Sequence, residues 1–437
     1  MQAERPNTGS REGRRGGRQS LIAGVDVGSS KIACLIARVE GTGADGLPLA
    51  TVAGVGHQAS RGVRAGAIAD LEAAEGAIRA AVEQAERMAD VTLSRVSIAL
   101  NCGQPISHPV SVDVSIAGHE ITDQDLRQAV RSARQRLAAD GADLVYSAPV
   151  NYAIDGESGI RDPRGMYGER LSVHMHVVTA HPSPVRNLEL CVERCHLEVQ
   201  DKTLAALAGG LACAVPDERD LGCVVVDLGG GQTTAAIFSR GVLVHTVSIP
   251  FGGHHITTDI ASGLSTTVAQ AERLKTLHGS AIAGAHDDRE TIKLQRVGED
   301  DRQGAVTVPR RELTGIIRPR AEEILEIVRD KLRASGVESA AGRTLIITGG
   351  GAHLNGMREL AHRVLGRHTR LGRPLRLSGL PETCAGGAFS VAAGLILRAA
   401  GDAAATPIEE AAKSEGAAQP HPLKKLAGLG RWLKSRL

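Results

Sequence analysis

Asp26-Val27-Gly28-Ser29-Ser30-Lys31 is written a second time, 201 residues later, as Asp227-Leu228-Gly229-Gly230-Gly231-Gln232-Thr233-Thr234. Each copy follows an apolar, β-branched run, Leu21 to Val25 and Cys223 to Val226. Each is followed by another, Ile32 to Val39 and Ala235 to Phe238. Both stretches therefore predict strand, tight turn, strand. Glycine lets a turn backbone approach a phosphate closely, and consecutive turn N–H groups form an anion-binding concavity. Ser29, Ser30 and Thr233 add hydroxyl donors, and Lys31 adds a cation. The leading carboxylates, Asp26 and Asp227, cannot receive a phosphate directly. They suit a hydrated Mg²⁺, which keeps several of its waters. One Asp-x-Gly turn is a weak signal; two in the same strand context imply a duplicated core that clamps one nucleotide from both sides.

A third loop, Leu345-Ile346-Ile347-Thr348-Gly349-Gly350-Gly351-Ala352, runs from an apolar strand into a triple glycine and on to a helical stretch, Met357 to Leu365. The three loops together resemble the phosphate-1, phosphate-2 and adenosine motifs of the actin/Hsp70/hexokinase superfamily. That resemblance implies ATP and Mg²⁺ as ligands, with Gly349, Gly350 and Gly351 beside the adenosine.

Composition agrees. A chain of 437 residues is too long for one compact core, so two lobes are expected. Aromatics are only 2 %, so the interior must be built from Ala, Val, Leu and Ile. The seven cysteines are odd in number and scattered, without a Cys-x-x-Cys pair, which predicts free thiols and a reducing compartment. Cys191 and Cys195 stand at i, i+4 beside His196; packing of a helix, rather than a metal, is expected there. Residues 1–20 are Arg-rich without an apolar core, so no cleavable signal peptide is expected, and no 18-residue apolar run predicts a membrane span.

The net charge of +2 is unevenly placed: residues 1–20 carry +3 and residues 401–437 carry +2, which leaves the middle at −3. The basic character belongs to the tails, so nucleic-acid binding by the core is not expected. Residues 1–20 read as a disordered basic extension and residues 401–422, with Pro407, Pro420 and Pro422, as a linker. Residues 423–437 are different. At roughly 100° per residue, Leu423, Leu426, Leu429, Leu433 and Leu437 fall within a roughly 120° arc. Lys424, Lys425 and Arg431 lie off it, and Trp432, the single tryptophan, suits a headgroup level. This predicts an amphipathic helix lying in an anionic membrane surface.

With loops and tail together, the chain resembles FtsA, the actin-like bacterial cell-division family that tethers tubulin-like FtsZ to the membrane. The resemblance spans about residues 20–400 and the terminal helix. Supporting it are Val96-Ser-Ile-Ala-Leu100, Asn151-Tyr-Ala-Ile-Asp-Gly156, Leu171 to Thr179, and Val244 to Pro250 followed by Phe251-Gly252-Gly253. It implies a two-lobed α/β actin-like ATPase fold with an inserted α+β subdomain. The first lobe's core would be residues 21–97 and 181–220. The insert, for self-association into filaments, would be 98–180. The second lobe's core would be 221–253 and 337–400, and its outer subdomain 254–336. Helices are expected at Leu71 to Met88, Thr122 to Leu137, Val185 to Cys195 and Arg320 to Ala334, with an Ala-rich hinge helix from Leu204 to Ala214. The resemblance places Glu272 on the ribose and Lys275 over base or ribose. It gives the outer subdomain, with Arg320, the acidic C-terminal tail of FtsZ as ligand. Other divisome proteins would be further partners, at the cytoplasmic face of the inner membrane at the septum.

The chain departs from the family in one place. Many members have Thr, then Thr or Met, then Asp after the second triple glycine; here stand Gln232, Thr233 and Thr234. No side chain announces itself as a base for water, so ATP binding with weak or absent hydrolysis is expected. A pilus-assembly actin homologue and a small-molecule kinase of the same fold are the alternatives.

Overall fold

A computed structural model describes residues 20–43, 48–137, 143–298 and 305–404. Strand Ser20–Val27 pairs antiparallel with Lys31–Thr42, Val27 opposite Ile32, so that residues 28–30 are the turn. In the second copy Cys223–Leu228 pairs antiparallel with Thr233–Ser239, Leu228 opposite Thr233. Each hairpin is extended by a third antiparallel strand, Pro48–Ala59 and Val242–Ile249. On the other side each Asp-bearing strand takes a parallel neighbour, Arg95–Leu100 or Thr344–Thr348, and beyond it a second, Glu198–Leu204 or His368–Leu371. The two sheets thus share one strand order and one series of orientations, which is the duplication that the two turns implied. A short strand, Leu377–Ser378, adds to the edge of the first.

Continuous apolar runs make strands buried on both faces. Ile32, Ala33, Cys34, Leu35, Ile36 and Ala37 are all fully buried. Helix Leu71–Ala89 covers one face of the first sheet with Ala74, Ile78, Ala81, Val82 and Ala85, and Asp70 caps it by accepting from the Ala73 N–H. The second sheet divides its residues by the two-residue strand period. Cys223, Val225 and Phe238 join the first lobe's core, whereas Val224, Val226 and Ile237 pack with helices Gly253–Gly263, Val268–His278 and Arg310–Ala334. Between the sheets run helices Ala205–Cys213 and Ser390–Ala404, in close contact. A Cβ on Gly394 would stand 1.8 Å from the Ala208 carbonyl oxygen, so only glycine permits this crossing.

The insert has its own sheet, in the order Ile106–Ser115, Arg170–Ala180, Asp143–Ile154, Glu157–Ile160, with helix Asp123–Leu137 on it. Val112, Val114, Leu126, Ala129, Val173 and Met175 form a separate small core. The Asp125 carboxylate accepts from the N–H and the hydroxyl of Thr122 and so fixes the helix start.

Some boundaries differ from expectation. Residues 98–100 belong to the first sheet, within Arg95–Leu100, and not to the insert. The helix expected from Val185 to Cys195 is Pro182–Glu193, which leaves Cys195 in the turn that follows; both cysteines are free thiols. The helix expected from Arg320 starts at Arg310 and runs through Pro319. An interior proline costs about 3 kcal/mol, but Leu313, Thr314 and Ile317, all buried, hold the earlier turns against the second core.

Candidate functional site

The two hairpin turns and the third glycine loop meet around a cleft of about 500 Å³ between the lobes. Asp26, Gly28, Ser29, Ser30 and Lys31 line it from the first turn. Asp227, Gly229, Gly230 and Gln232 line it from the second, and Gly349, Gly350 and Gly351 from the third, with Glu272 and Lys275 also on the wall. The turns are built alike. A Cβ on Gly28 would lie 2.8 Å from the Lys31 carbonyl oxygen, and one on Gly229 would lie 2.7 Å from that of Gln232. Gly350 is the opposite case: a Cβ there would meet no protein atom within 4 Å, so this loop presents bare backbone to the cleft.

Two expected residues do not line the cleft. Thr233 is fully buried and its hydroxyl donates to the Phe251 carbonyl at 2.8 Å. Neighbouring strand residues face opposite sides, so Thr234, directly across from Asp227, takes the cleft position instead. Thr234 is 8 % exposed and its hydroxyl has no protein partner. Gly231 packs on the facing turn, where a Cβ would come within 2.5 Å of Ser29 Oγ.

Two desolvated carboxylates and one lysine set the electrostatics of the cleft. Asp26, 9 % exposed, is pushed up from 3.8 to about 6 by desolvation, against the pull of Lys31. Asp227, which opens onto the cleft, is pushed up to about 7 by desolvation and then by the charge of Asp26. Desolvation lowers Lys31 to about 8, although Asp26 favours its charge. The Lys31 ammonium donates to the Ala388 carbonyl and lies 3.2 Å from the Phe389 ring centroid. Two carboxylates therefore share one cation that is drawn aside. Hard oxygen donors of this kind fit Mg²⁺ held through water. Among the described residues no cluster of three or more His, Cys, Asp or Glu stands together as a direct metal site. The Thr234 hydroxyl and the Asn101 Oδ1 are further buried polar atoms on this wall without a protein partner.

Glu272 and Lys275 project from helix Val268–His278, which Thr267 caps. Lys275 Nζ donates to Glu272 at 2.7 Å, to Thr257 Oγ1 at 2.8 Å and to the Gly253 carbonyl at 3.1 Å. Burial raises Glu272, but the bonds from Lys275 and Thr257 outweigh it and keep the carboxyl below its ordinary range. The pair is thus an ionised, mutually positioned unit on the cleft wall.

Sequence reading missed Asn101, Thr234, His254, Arg310, His353 and Asn355, all on the wall. His254 had a signal. It follows Gly252-Gly253 at the start of helix Gly253–Gly263, and the N–H groups of Gly253 and His254 donate to the Gly229 and Gly230 carbonyls. Arg310 had none, because Pro319 concealed the first turns of its helix. Arg320, expected as a cation for a partner, is outside the cleft. Its guanidinium bonds Asp259 at 2.6 Å and also Glu323, so the trio carries net negative charge. The proposed membrane residues Lys424, Lys425, Leu426, Leu429, Arg431, Trp432 and Leu433 lie outside the described residues. Among the described residues no helix is long and apolar enough to cross a membrane.

Known proteins resemble this chain closely. The profile of the cell division protein FtsA matches residues 224–394, and that of the SHS2 domain inserted in FtsA matches residues 103–179. The cell division protein FtsA of Agrobacterium fabrum is 42 % identical over 424 residues, 95 % of each chain. That of Escherichia coli K12 is 33 % identical over 386 residues, 86 % of this chain and 90 % of the other. Among solved structures, a chain of a PilM–PilN type IV pilus biogenesis complex superposes with a TM-score of 0.62 at 18 % identity, covering 87 % of this chain and 98 % of that one, a likeness of fold alone.

Proposed function

The chain belongs to the FtsA family of cell division proteins, and on that premise we propose that it binds Mg–ATP between its lobes, polymerises, and tethers FtsZ filaments to the inner face of the cytoplasmic membrane at the septum. The observation that carries the nucleotide part is the convergence of three glycine loops and two desolvated carboxylates on one cleft. Asp26 and Asp227 would hold the waters of Mg²⁺; the ion neutralises phosphate charge when bound. The Gly28 N–H closes its own turn on the Lys31 carbonyl; the turn N–H groups at 29–30 and 229–230 and the Lys31 ammonium would hold the phosphates, and Gly349–Gly351 would flank the adenosine. The acidic side chains lining the cleft are Asp26, Asp227 and Glu272. With the first two committed to the ion and the third to Lys275, none is left as base for a kinase substrate. The pilus reading shares the fold, but the 42 % identity over 95 % of both chains favours cell division.

The insert carries self-association in this reading. A head-to-tail contact between copies is heterologous and propagates into a filament. Residues 423–437 form the anchor: apolar burial of Leu426, Leu429 and Leu433 contributes at about 25 cal/mol per Å², and basic residues add roughly 1 kcal/mol each at an anionic surface. One such helix binds weakly, so polymerisation supplies avidity. The acidic FtsZ tail would dock on the outer subdomain, where it has to compete with Asp259 and Glu323 for Arg320.

The deciding experiment is sedimentation of the purified chain with anionic vesicles, ATP and FtsZ. FtsZ should pellet only when the chain and vesicles are both present, and Trp432 fluorescence should shift to the blue. Leu429→Glu should leave both proteins in the supernatant. Co-sedimentation of that variant at wild-type level would move the anchor elsewhere, and failure of FtsZ to pellet with membrane-bound chain would remove the tether.

A further inference from the structure

Three segments far apart in sequence meet where the lobes touch beside the cleft. They are the Ala65-Gly66 turn, Asn101 just past strand Arg95–Leu100, and Gln232 in the second phosphate turn. Gln232 Nε2 donates to the Asn101 carbonyl at 2.8 Å, a bond from the second lobe to the first. The spot is tight. Gly66 has φ +78, and a Cβ there would lie 2.9 Å from both Asn101 O and Asn101 Oδ1 and 3.0 Å from Gln232 Nε2. The Gly66 N–H donates to Ser29 Oγ at 2.9 Å, so the first phosphate turn is held by the same knot. Asn101 Oδ1 and Thr234 Oγ1 are buried without protein partners, and both residues line the cleft. Asn101 also stands at the root of the insert, whose two ends are joined by the His181 N–H donating to the Gly103 carbonyl at 2.8 Å.

We propose that Gln232 is a positioning residue that clasps the lobes together across the cleft, so that a bound nucleotide leaves only after its bond to Asn101 breaks. The proposal rests on the nucleotide reading of the cleft and adds a release step to it. The clasp is specific to a long carboxamide: a threonine at this position would end too near its backbone to reach the Asn101 carbonyl. A carboxylate of the same length would face that carbonyl oxygen as a second acceptor and push the lobes apart. With the lobes closed, the Thr234 hydroxyl can donate to a phosphate and the Asn101 Oδ1 can accept from a water of the bound nucleotide. Nucleotide and clasp therefore favour the same state, and the insert's root is held with it. His254 Nε2, 3.3 Å from the Ser29 carbonyl oxygen, is a second and longer cross-lobe contact that remains when Gln232 is changed.

The test uses the full chain with Mg²⁺ and a fluorescent N-methylanthraniloyl ATP, displaced by excess ATP in stopped flow. Gln232→Thr should release the probe about threefold to tenfold faster, the range for losing one neutral hydrogen bond, and Gln232→Glu faster still. Association should change less than release, and the melting temperature of the nucleotide-free protein should fall by no more than the loss of one neutral hydrogen bond accounts for. Unchanged release in both variants overturns the clasp. So does a change confined to melting temperature, which assigns Gln232 a structural role only. If the wild-type chain fails to bind the probe, the nucleotide reading falls and the clasp with it; probe binding with unaltered release sinks the clasp alone.

Discussion

Replacing Asp227 with Asn should stabilise the nucleotide-free protein and abolish its response to Mg–ATP. The carboxyl sits at about 7 because desolvation and the neighbouring Asp26 oppose its charge. The displacement from 3.8 to about 7 converts to about 4 kcal/mol at 1.36 kcal/mol per pH unit. Asp227 opens onto cleft water, which screens part of this and leaves about 2 kcal/mol. For a chain of 437 residues that corresponds to a rise in Tm of about 2 °C at pH 8. The sign follows from linkage. A carboxyl whose folded pKa is raised binds a proton that the unfolded chain has already lost, so the wild type gains stability as pH falls through 7 and then, by Asp26, through 6. The variant lacks the Asp227 share, so its advantage should be full near pH 8 and shrink towards pH 5.5. His57, His176 and His245, all lowered by burial, act in the opposite direction as pH falls through 6.5, but both proteins contain them and the difference cancels. Lys31, lowered to about 8, titrates at the upper edge of this window, and because Asp227 helps to raise it, the variant should lower it further, so the comparison is cleanest below pH 8. Scanning calorimetry of both proteins from pH 5.5 to 8 measures the difference. Adding Mg–ATP should then raise the wild-type Tm by mass action and leave the variant unmoved. A variant that melts below the wild type at pH 8, or whose advantage grows in acid, refutes the reasoning.

Three more outcomes are expected. Gly350→Asp meets no protein atom and should fold normally, yet its carboxylate enters the cleft, so titration calorimetry should show no ATP heat; wild-type affinity would remove the third loop from the site. Gly394→Leu places a side chain against the Ala208 carbonyl, where even a Cβ stands at 1.8 Å, and should lower the unfolding free energy measured in urea by about 3 kcal/mol or more. Excision of residues 104–178 behind a short linker should spare ATP affinity, because the Gly103 carbonyl and His181 N–H already hold the ends together; polymers on lipid, viewed by electron microscopy, should vanish.

The form of the two hairpin turns was readable from sequence because it is local. An Asp near the end of one strand, a glycine with no room for Cβ, and a second apolar run define the strand-turn-strand unit wherever the strands go. The apolar runs around them likewise announced strands buried on both faces, and their repetition announced the duplication. What packing decided was different in kind. Thr233 and Thr234 have the same chemistry, and only pairing with the Asp227 strand determines which hydroxyl meets the cleft. Asn101, His254 and Arg310 reach the site because two sheets of the same strand order close on each other, and no local pattern encodes that distance. The helix expected from Arg320 begins ten residues earlier: local propensity penalises an interior proline, whereas burial of Leu313 and Ile317 carries the helix through Pro319. The pKa of Asp227 is also a tertiary property: a carboxylate is ordinary in the turn that the sequence describes, and it is pushed up to about 7 only when a protein wall takes its water away and a second carboxylate stands beside it.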